Sequence, residues 1–164
     1  MIVTTSPKAS VRIISNHGFA EIVENLETKQ KALIATRSFK QEEVLSRFGA
    51  SRIYFTPNYL TVQTGVNKHI ALNPEFLQYI NHSCEPNVFF DTTSFELRAL
   101  RDIEVNEEFS FFYPSTEWEM DQPFNCYCGN AECLQNIGGA RFLDEKAIQK
   151  YKLTDFIMQQ LQKK

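Results

Sequence analysis

Along the first seventy residues the apolar positions come in short runs between polar breaks: Val11 to Ile14, Phe19 to Val23, Ala32 to Thr36 and Glu43 to Phe48. Each is too brief for an ordinary helix and predicts a strand, with the polar stretch Arg37 to Glu42 turning between the last two. The polar lead-in Met1 to Lys8 is expected to fray. Ile53-Tyr54-Phe55 and Leu60 to Gln63 flank Pro57-Asn58, a turn signal. Thr64-Gly65-Val66-Asn67 then predicts a second turn, from which Lys68 to Leu72 returns as a hairpin partner. Asn73 and Pro74 suit the cap and first position of one helical turn ending at Tyr79. Val88-Phe89-Phe90, the alternating Phe95 to Leu100 and the aromatic run Phe109 to Tyr113 continue the β pattern, while Tyr113 to Asn125 shows no period. Only at the end does the spacing become helical. Leu153, Phe156, Ile157 and Leu161 share one face of a helix over Thr154 to Gln162, with Thr154 as cap, and Asp144 to Tyr151 predicts a shorter one. Both helices are expected to dock on their own domain.

The pattern describes a mainly β chain with a helical C-terminus, and 164 residues suit a single domain able to bury its own core. A hydrophobic fraction of 43%, with 14 Phe, excludes a disordered chain, and no apolar run is long enough to span a bilayer. A net charge of −3 gives no support to direct nucleic-acid binding. The distribution of charge adds more. Between Asp102 and Ala140 there is no Lys or Arg, while Asp102, Glu104, Glu107, Glu108, Glu117, Glu119, Asp121 and Glu132 all fall there. Such a stretch is either a solvated face with helix-end charges or an acidic rim that attracts a basic peptide.

Candidate chemistry gathers in Tyr79-Ile80-Asn81-His82-Ser83-Cys84-Glu85-Pro86-Asn87, a connection between β runs. Glu85-Pro86-Asn87 biases it to a turn, which brings Asn81, His82 and Cys84 near one another. The chain's other three cysteines form the C-x-C-x4-C cluster Cys126, Cys128 and Cys133. That cluster is one ligand short of the tetrahedral thiolate shell that structural zinc prefers, and Cys84 is the thiol left to complete it. A disulfide reading is weaker, because Cys126 and Cys128 are too close for a relaxed bridge and nothing at the N-terminus resembles a secretory signal. The expected location is therefore an intracellular, reducing compartment.

Asn81-His82-Ser83-Cys84-x-Pro86-Asn87, then Glu108-Phe109-Ser110-Phe111-Phe112-Tyr113, then the three-cysteine tail, resemble a SET domain with its post-SET segment. SET domains are protein-lysine methyltransferases. The resemblance runs from about Lys31 to Leu143. It divides the single domain, residues 1–164, into a core over about 31–113, a post-SET segment over about 114–143 and a helical extension over 144–164. It implies a β-clip fold of small sheets with a pseudoknot, and a zinc-clipped tail that closes the active site. The cofactor implied is S-adenosylmethionine, together with one structural zinc on Cys84, Cys126, Cys128 and Cys133. Asn81 through its amide, His82 largely through its main chain, Tyr59, and the aromatic positions Trp118 and Phe124 match cofactor contacts. Tyr113 matches the catalytic tyrosine, and Phe111 the position that tunes product state. A phenyl group there implies product beyond monomethyl-lysine, and the partner implied is a basic, lysine-containing protein or peptide.

Three positions depart from the family pattern. Gln30-Lys31-Ala32 stands where the family usually has a Gly-x-Gly cofactor loop, so Lys31 and Ala32 would meet the cofactor with side chains present. Arg47 stands where a second active-site tyrosine is common, and Phe112 where an acidic residue is common. The rival class is a non-catalytic binding module that keeps the zinc-clipped fold without cofactor affinity. Sequence alone assigns neither the substrate nor the oligomeric state.

Overall fold

The short apolar runs become strands, but few alternate cleanly: Val11–Asn16 and Gly49–Tyr54 are exposed along most of their length, whereas Thr61–Gly65 and Val88–Asp91 are mostly buried. In the computed structural model, which describes residues 10–164, they form five small sheets. The lead-in Met1 to Lys8 lies outside the described residues. β1 (Val11–Asn16), β2 (Ala20–Asn25) and β3 (Lys31–Ala35) make an antiparallel meander in which Val23 faces Ala32. β4 (Val44–Arg47) lies at the edge of a sheet with β9 (Val88–Asp91) and β10 (Glu96–Ala99), while β5 (Gly49–Tyr54), β6 (Thr61–Gly65) and β7 (Lys68–Asn73) form another. The expected hairpin is there: β7 returns against β6, with Val62 opposite Ile70. The single turn before the Asn81 connection is a 3-10 helix, Glu75–Tyr79. Pro74 occupies its cap position without a side-chain bond, so Asn73 is not the cap.

The crossing of distant segments is built on β8 (Asn81–His82), which pairs in parallel with β11 (Ser110–Phe111). Beyond the Glu85-Pro86 turn, Asn87 grips the same segment again. Its side chain accepts from the Ser110 N–H at 2.8 Å and donates to the Glu108 carbonyl at 2.8 Å, and its own N–H reaches the Ser110 carbonyl. The aromatic run Phe109 to Tyr113 is therefore not one strand. Only Ser110–Phe111 pairs, and Tyr113 opens a 3-10 turn, Tyr113–Ser115, which Pro114 favours by fixing φ and lacking a donor. The tail carries one small antiparallel pair, β12 (Phe124–Asn125) and β13 (Asn136–Ile137).

The main core is dense in phenylalanine, with Phe39, Phe90 and Phe109 fully buried beside Leu33, Ile70 and Leu97. A second core joins the helical extension to the tail. α1 (Glu145–Lys150) starts at Asp144, whose side chain accepts from the Ala147 N–H, and α2 (Asp155–Gln162) starts at Thr154, which accepts from the Ile157 N–H. Phe112, Ala140, Ala147, Tyr151, Leu153 and Ile157 close on one another there, so both helices dock on their own domain. This also accounts for the apolar residue at a commonly acidic position. Phe112 is fully buried and stacks face to face on Tyr151, ring centroids 3.7 Å apart, where a carboxylate would be desolvated without a partner.

Candidate active site and metal centre

The Glu85-Pro86 turn and the tail converge on the four thiols. Cys84, Cys126, Cys128 and Cys133 bring their sulfurs within 4.8 Å of one another, with Cys84 and Cys133 3.9 Å apart. A tetrahedron with zinc–sulfur bonds of about 2.3 Å has edges of about 3.8 Å, so the set fits the ion with small adjustment. Donors surround it as thiolates require: Leu134 N–H points at Cys84 Sγ, Gln135 N–H at Cys133 Sγ, and the Asn130 amide at Cys128 Sγ. Burial opposes ionisation of Cys128, but hydrogen bonds from Asn130 and the Cys84 main chain outweigh it and bring that thiol down to about 6. Burial pushes the Cys126 thiol up to about 11 and Cys84 further still, so without a cation these two stay protonated.

The Asn81 connection joins this centre to Tyr113. His82 sits with Nε2 3.5 Å from Cys84 Sγ, and its Nδ1 accepts the Tyr113 N–H at 3.1 Å. An accepting Nδ1 fixes the tautomer with the proton on Nε2, directed at the sulfur. Burial depresses the imidazole to about 4, so the ring is neutral at physiological pH. Asn81 lines the cavity beside this turn and also uses its amide within the chain. Its Nδ2 donates to the Lys31 carbonyl at 2.8 Å and to Glu108 at 3.2 Å, tying the start of β3 to the segment before β11.

Two cavities meet at Tyr113. The wider, about 650 Å³, is lined by Lys29, Lys31, Tyr59, Tyr79, Asn81, His82, Glu108, Phe124 and Tyr127 among others. It offers cations, one carboxylate and several aromatic faces. That set suits a ligand with a zwitterionic end and a flat heteroaromatic ring, so S-adenosylmethionine fits its chemistry. Lys29, with φ 62, takes the left-handed conformation at its edge that a glycine would adopt more easily. The narrower cavity, about 320 Å³, is lined by Thr61, Val62, Leu72, Leu77, Ile80, Phe111, Glu117 and Met120, among others. Tyr59, Leu60, Gln78, Tyr113 and Phe124 belong to both.

Of the residues singled out from the sequence, Lys31, Tyr59, Asn81, His82, Tyr113 and Phe124 line the wider cavity and Phe111 the narrower. Trp118 and Ala32 line neither. Trp118 packs against the second core while its main-chain N–H donates to the Gln63 side-chain oxygen, and Ala32 is paired within the meander. Arg47 ends β4 in an ion pair with Glu96, outside both cavities.

Burial, reinforced by the carboxylates of Glu108 and Glu117, lifts the Tyr113 phenol to about 12, so it remains a hydroxyl. Glu117 was visible in the sequence only as one member of an acidic stretch. It is buried, its Oε1 accepting from the Gln63 N–H at 3.0 Å and the Thr116 hydroxyl at 3.1 Å, and burial raises its carboxyl to about 7. Half of that stretch is neutralised from outside it. Asp102 pairs with Lys40, Glu107 with Arg101, Glu119 with Arg141, and Glu132 with Lys146 and Lys150.

Residues 9–114 match the SET domain family. Over 101 residues the chain is 45% identical to Methyltransferase flvH of Aspergillus flavus, covering 60% of this chain and 56% of that protein. Over 68 residues it is 40% identical to a histone-lysine N-methyltransferase, H3 lysine-36 specific, of Aspergillus oryzae, covering 38% of this chain and 7% of that one. The chain thus spans about half the length of the first relative and a small part of the second. A solved structure of KRYPTONITE in complex with mCHH DNA, H3(1-15) peptide and SAH superposes on 71% of this chain, and 29% of that one, with a TM-score of 0.53 at 20% identity, a likeness of fold alone.

Proposed function

Since the chain belongs to the SET domain family, we propose that it transfers a methyl group from S-adenosylmethionine to the side-chain amine of a lysine in a protein or peptide. The observation that carries this reading is the meeting of two chemically different cavities along a shared wall that includes Tyr113: a larger one with lysines and a carboxylate in its lining, and a smaller one lined mostly by apolar side chains. When bound, S-adenosylmethionine supplies an electrophilic methyl group on a sulfonium.

The protein's own residues do the rest by position. The apolar walls around Phe111, Val62 and Leu77 disfavour an ammonium and favour the neutral amine that can attack. Tyr113, kept protonated, orients groups at the junction by hydrogen bonding and is not a base. His82 holds the Tyr113 main chain in place and is itself held against the thiol cluster. Zinc on the four thiols would fix the tail, and with it Phe124, across both cavities; its role is structural, because all four positions are filled by protein ligands. A lysine side chain fits the narrow cavity, whose lining carries Glu117 and Asp121 and no Lys or Arg, and free thiols kept for a metal fit a reducing intracellular compartment.

The test is mass spectrometry of lysine peptide arrays incubated with the zinc-loaded protein and S-adenosylmethionine, alongside calorimetry of cofactor binding. Methylated peptide is expected from the wild type. Tyr113→Phe is expected to lose about a hundredfold or more in turnover while cofactor affinity stays within about twofold. Absence of saturable cofactor binding would overturn the reading in favour of a non-catalytic module.

A further inference from the structure

The narrow cavity holds a carboxylate that the reading above leaves without a task. Glu117 lies four residues after Tyr113 with its N–H bonded to the Tyr113 carbonyl, so the two line the same wall. The side chain is buried, yet both of its hydrogen bonds fall on Oε1. Among the described residues nothing donates to Oε2. Nor does the lining carry any Lys or Arg: its charged residues are Glu117 and Asp121, and its other titratable groups are the phenols of Tyr59 and Tyr113. A mostly apolar cavity with an incompletely satisfied carboxylate and no basic side chain fits a cation, and one with an apolar stem.

We propose that Glu117 receives the alkylammonium group of the substrate at the Tyr113 end of this cavity and accepts its proton. This rests on the methyl-transfer reading. The step is balanced within the cavity: one N–H bond of the ammonium breaks, its electron pair stays on nitrogen, and the proton bonds to Glu117 Oε2, giving a neutral amine and a neutral carboxylic acid. The charge separation that burial disfavours disappears, and the amine keeps the lone pair that methyl transfer needs. The carboxyl's raised affinity for protons makes it a better acceptor than an exposed glutamate. Arg47 offers no competing group, since it pairs with Glu96 outside the cavity.

The probe is n-butylammonium, the side-chain end of lysine, with 1-pentanol as the neutral control, titrated into the zinc-loaded protein. Glu117→Gln keeps an oxygen for the Gln63 and Thr116 donors. It is expected to weaken n-butylammonium about tenfold to a hundredfold while leaving 1-pentanol within about twofold. Turnover of the variant on a methylated peptide sequence should fall about a hundredfold near pH 7, and the deficit should shrink toward pH 10, where solvent removes the proton unaided. In wild-type protein with carbon-13-labelled glutamate, n-butylammonium should raise the titration midpoint of one buried carboxyl, because that carboxyl holds the transferred proton, a readout that needs no variant; a lowered midpoint, the mark of an ion pair without transfer, overturns the proton step. An unmoved midpoint overturns the inference, as does a variant with wild-type n-butylammonium affinity and pH profile, even though methyl transfer itself then stands. Loss of n-butylammonium binding in Asp121→Asn with Glu117→Gln unaffected also overturns it. Glu117-dependent binding in a protein that methylates no peptide upholds the cation site and refutes methyl transfer.

Discussion

Replacing Tyr151 with Phe isolates one atom that ties the helical extension to the metal loop. The Tyr151 hydroxyl donates to the Cys84 carbonyl at 2.7 Å, across 67 positions of sequence, with both residues buried. Among the described residues no other donor reaches that carbonyl, so Tyr151→Phe leaves a buried acceptor unpaired while keeping the stack on Phe112. Stranding such a group destabilises by about 1–3 kcal/mol. In a domain of this size each kcal/mol lowers Tm by about 2–4 °C, so a drop of roughly 2–12 °C is expected by calorimetry of the zinc-loaded protein. Tyr151→Ala also removes the ring and should cost about 3–5 kcal/mol. Because Cys84 is the ligand that anchors the tail to the Asn81 connection, both variants should release zinc to a colourimetric chelator faster than wild type, Ala the more so. A Tm within about 1 °C of wild type for Tyr151→Phe, with unchanged zinc release, would refute the idea that the extension clamps the metal loop.

Three further outcomes follow from the same geometry. His82→Ala removes the acceptor of the Tyr113 N–H and the ring between that turn and Cys84, and turnover is expected to fall about tenfold with cofactor affinity within about threefold; equal turnover would show that the ring positions nothing. Elemental analysis should find one zinc per chain, and its removal by chelator, worth on the order of 10 kcal/mol of ordering, should abolish cofactor binding, because β12 ends one residue before Cys126; retained binding after removal would contradict this. Phe111→Tyr should shift product toward monomethyl-lysine by roughly fivefold in rate ratio, since a new hydroxyl worth about 1 kcal/mol can hold the amine, and a wild type that stops at one methyl with cofactor in excess would contradict the premise.

Most of the longer strands and both helices were legible because each is specified locally, by a short apolar run between turn signals for the strands and by the i, i+3, i+4 face and the Thr154 cap for α2, whereas the two-residue strands β8, β12 and β13 carry no such run. The four thiols were legible because their number matches a tetrahedral shell. What sequence reasoning missed lies between elements. The alternation in Phe109 to Tyr113 cannot reveal that the chain turns at Tyr113, since the parallel partner that ends the strand is two residues long and lies about thirty positions earlier. Trp118 reads as a cofactor aromatic by its place in the tail, yet its main-chain N–H is anchored to the Gln63 side-chain oxygen and its ring is drawn to a second core that includes the C-terminal helices. Asn81 keeps its expected neighbourhood and also gives its amide to the Lys31 carbonyl, so it orders the chain beside the cavity. Glu117 had no signal distinct from its acidic neighbours, because what sets it apart is burial, and burial belongs to the fold.

Charge neutralisation and tail architecture are two sides of one arrangement. The tail has little regular structure of its own, and its ends are held by groups that lie outside it: the Cys84 thiol, the Tyr151 hydroxyl beneath it, and Arg141, Lys146 and Lys150, which pair with Glu119 and Glu132. The ion pairs are exposed and each contributes little to stability. Their effect is instead to offset negative charge on the outer surface of the tail, while Glu117 keeps its carboxyl buried in the wall of the narrow cavity and Asp121 lines the same cavity from an exposed position. A cation approaching the tail is then drawn by the field of the cavity more than by its rim. Salt should therefore weaken substrate capture only modestly, because groups screened by low-dielectric walls lose less attraction to added ions than exposed ones do. The extension, the thiol cluster and the acidic stretch thus act on one segment, the twelve residues between Tyr113 and Cys126, which supplies part of the wall that the two cavities share.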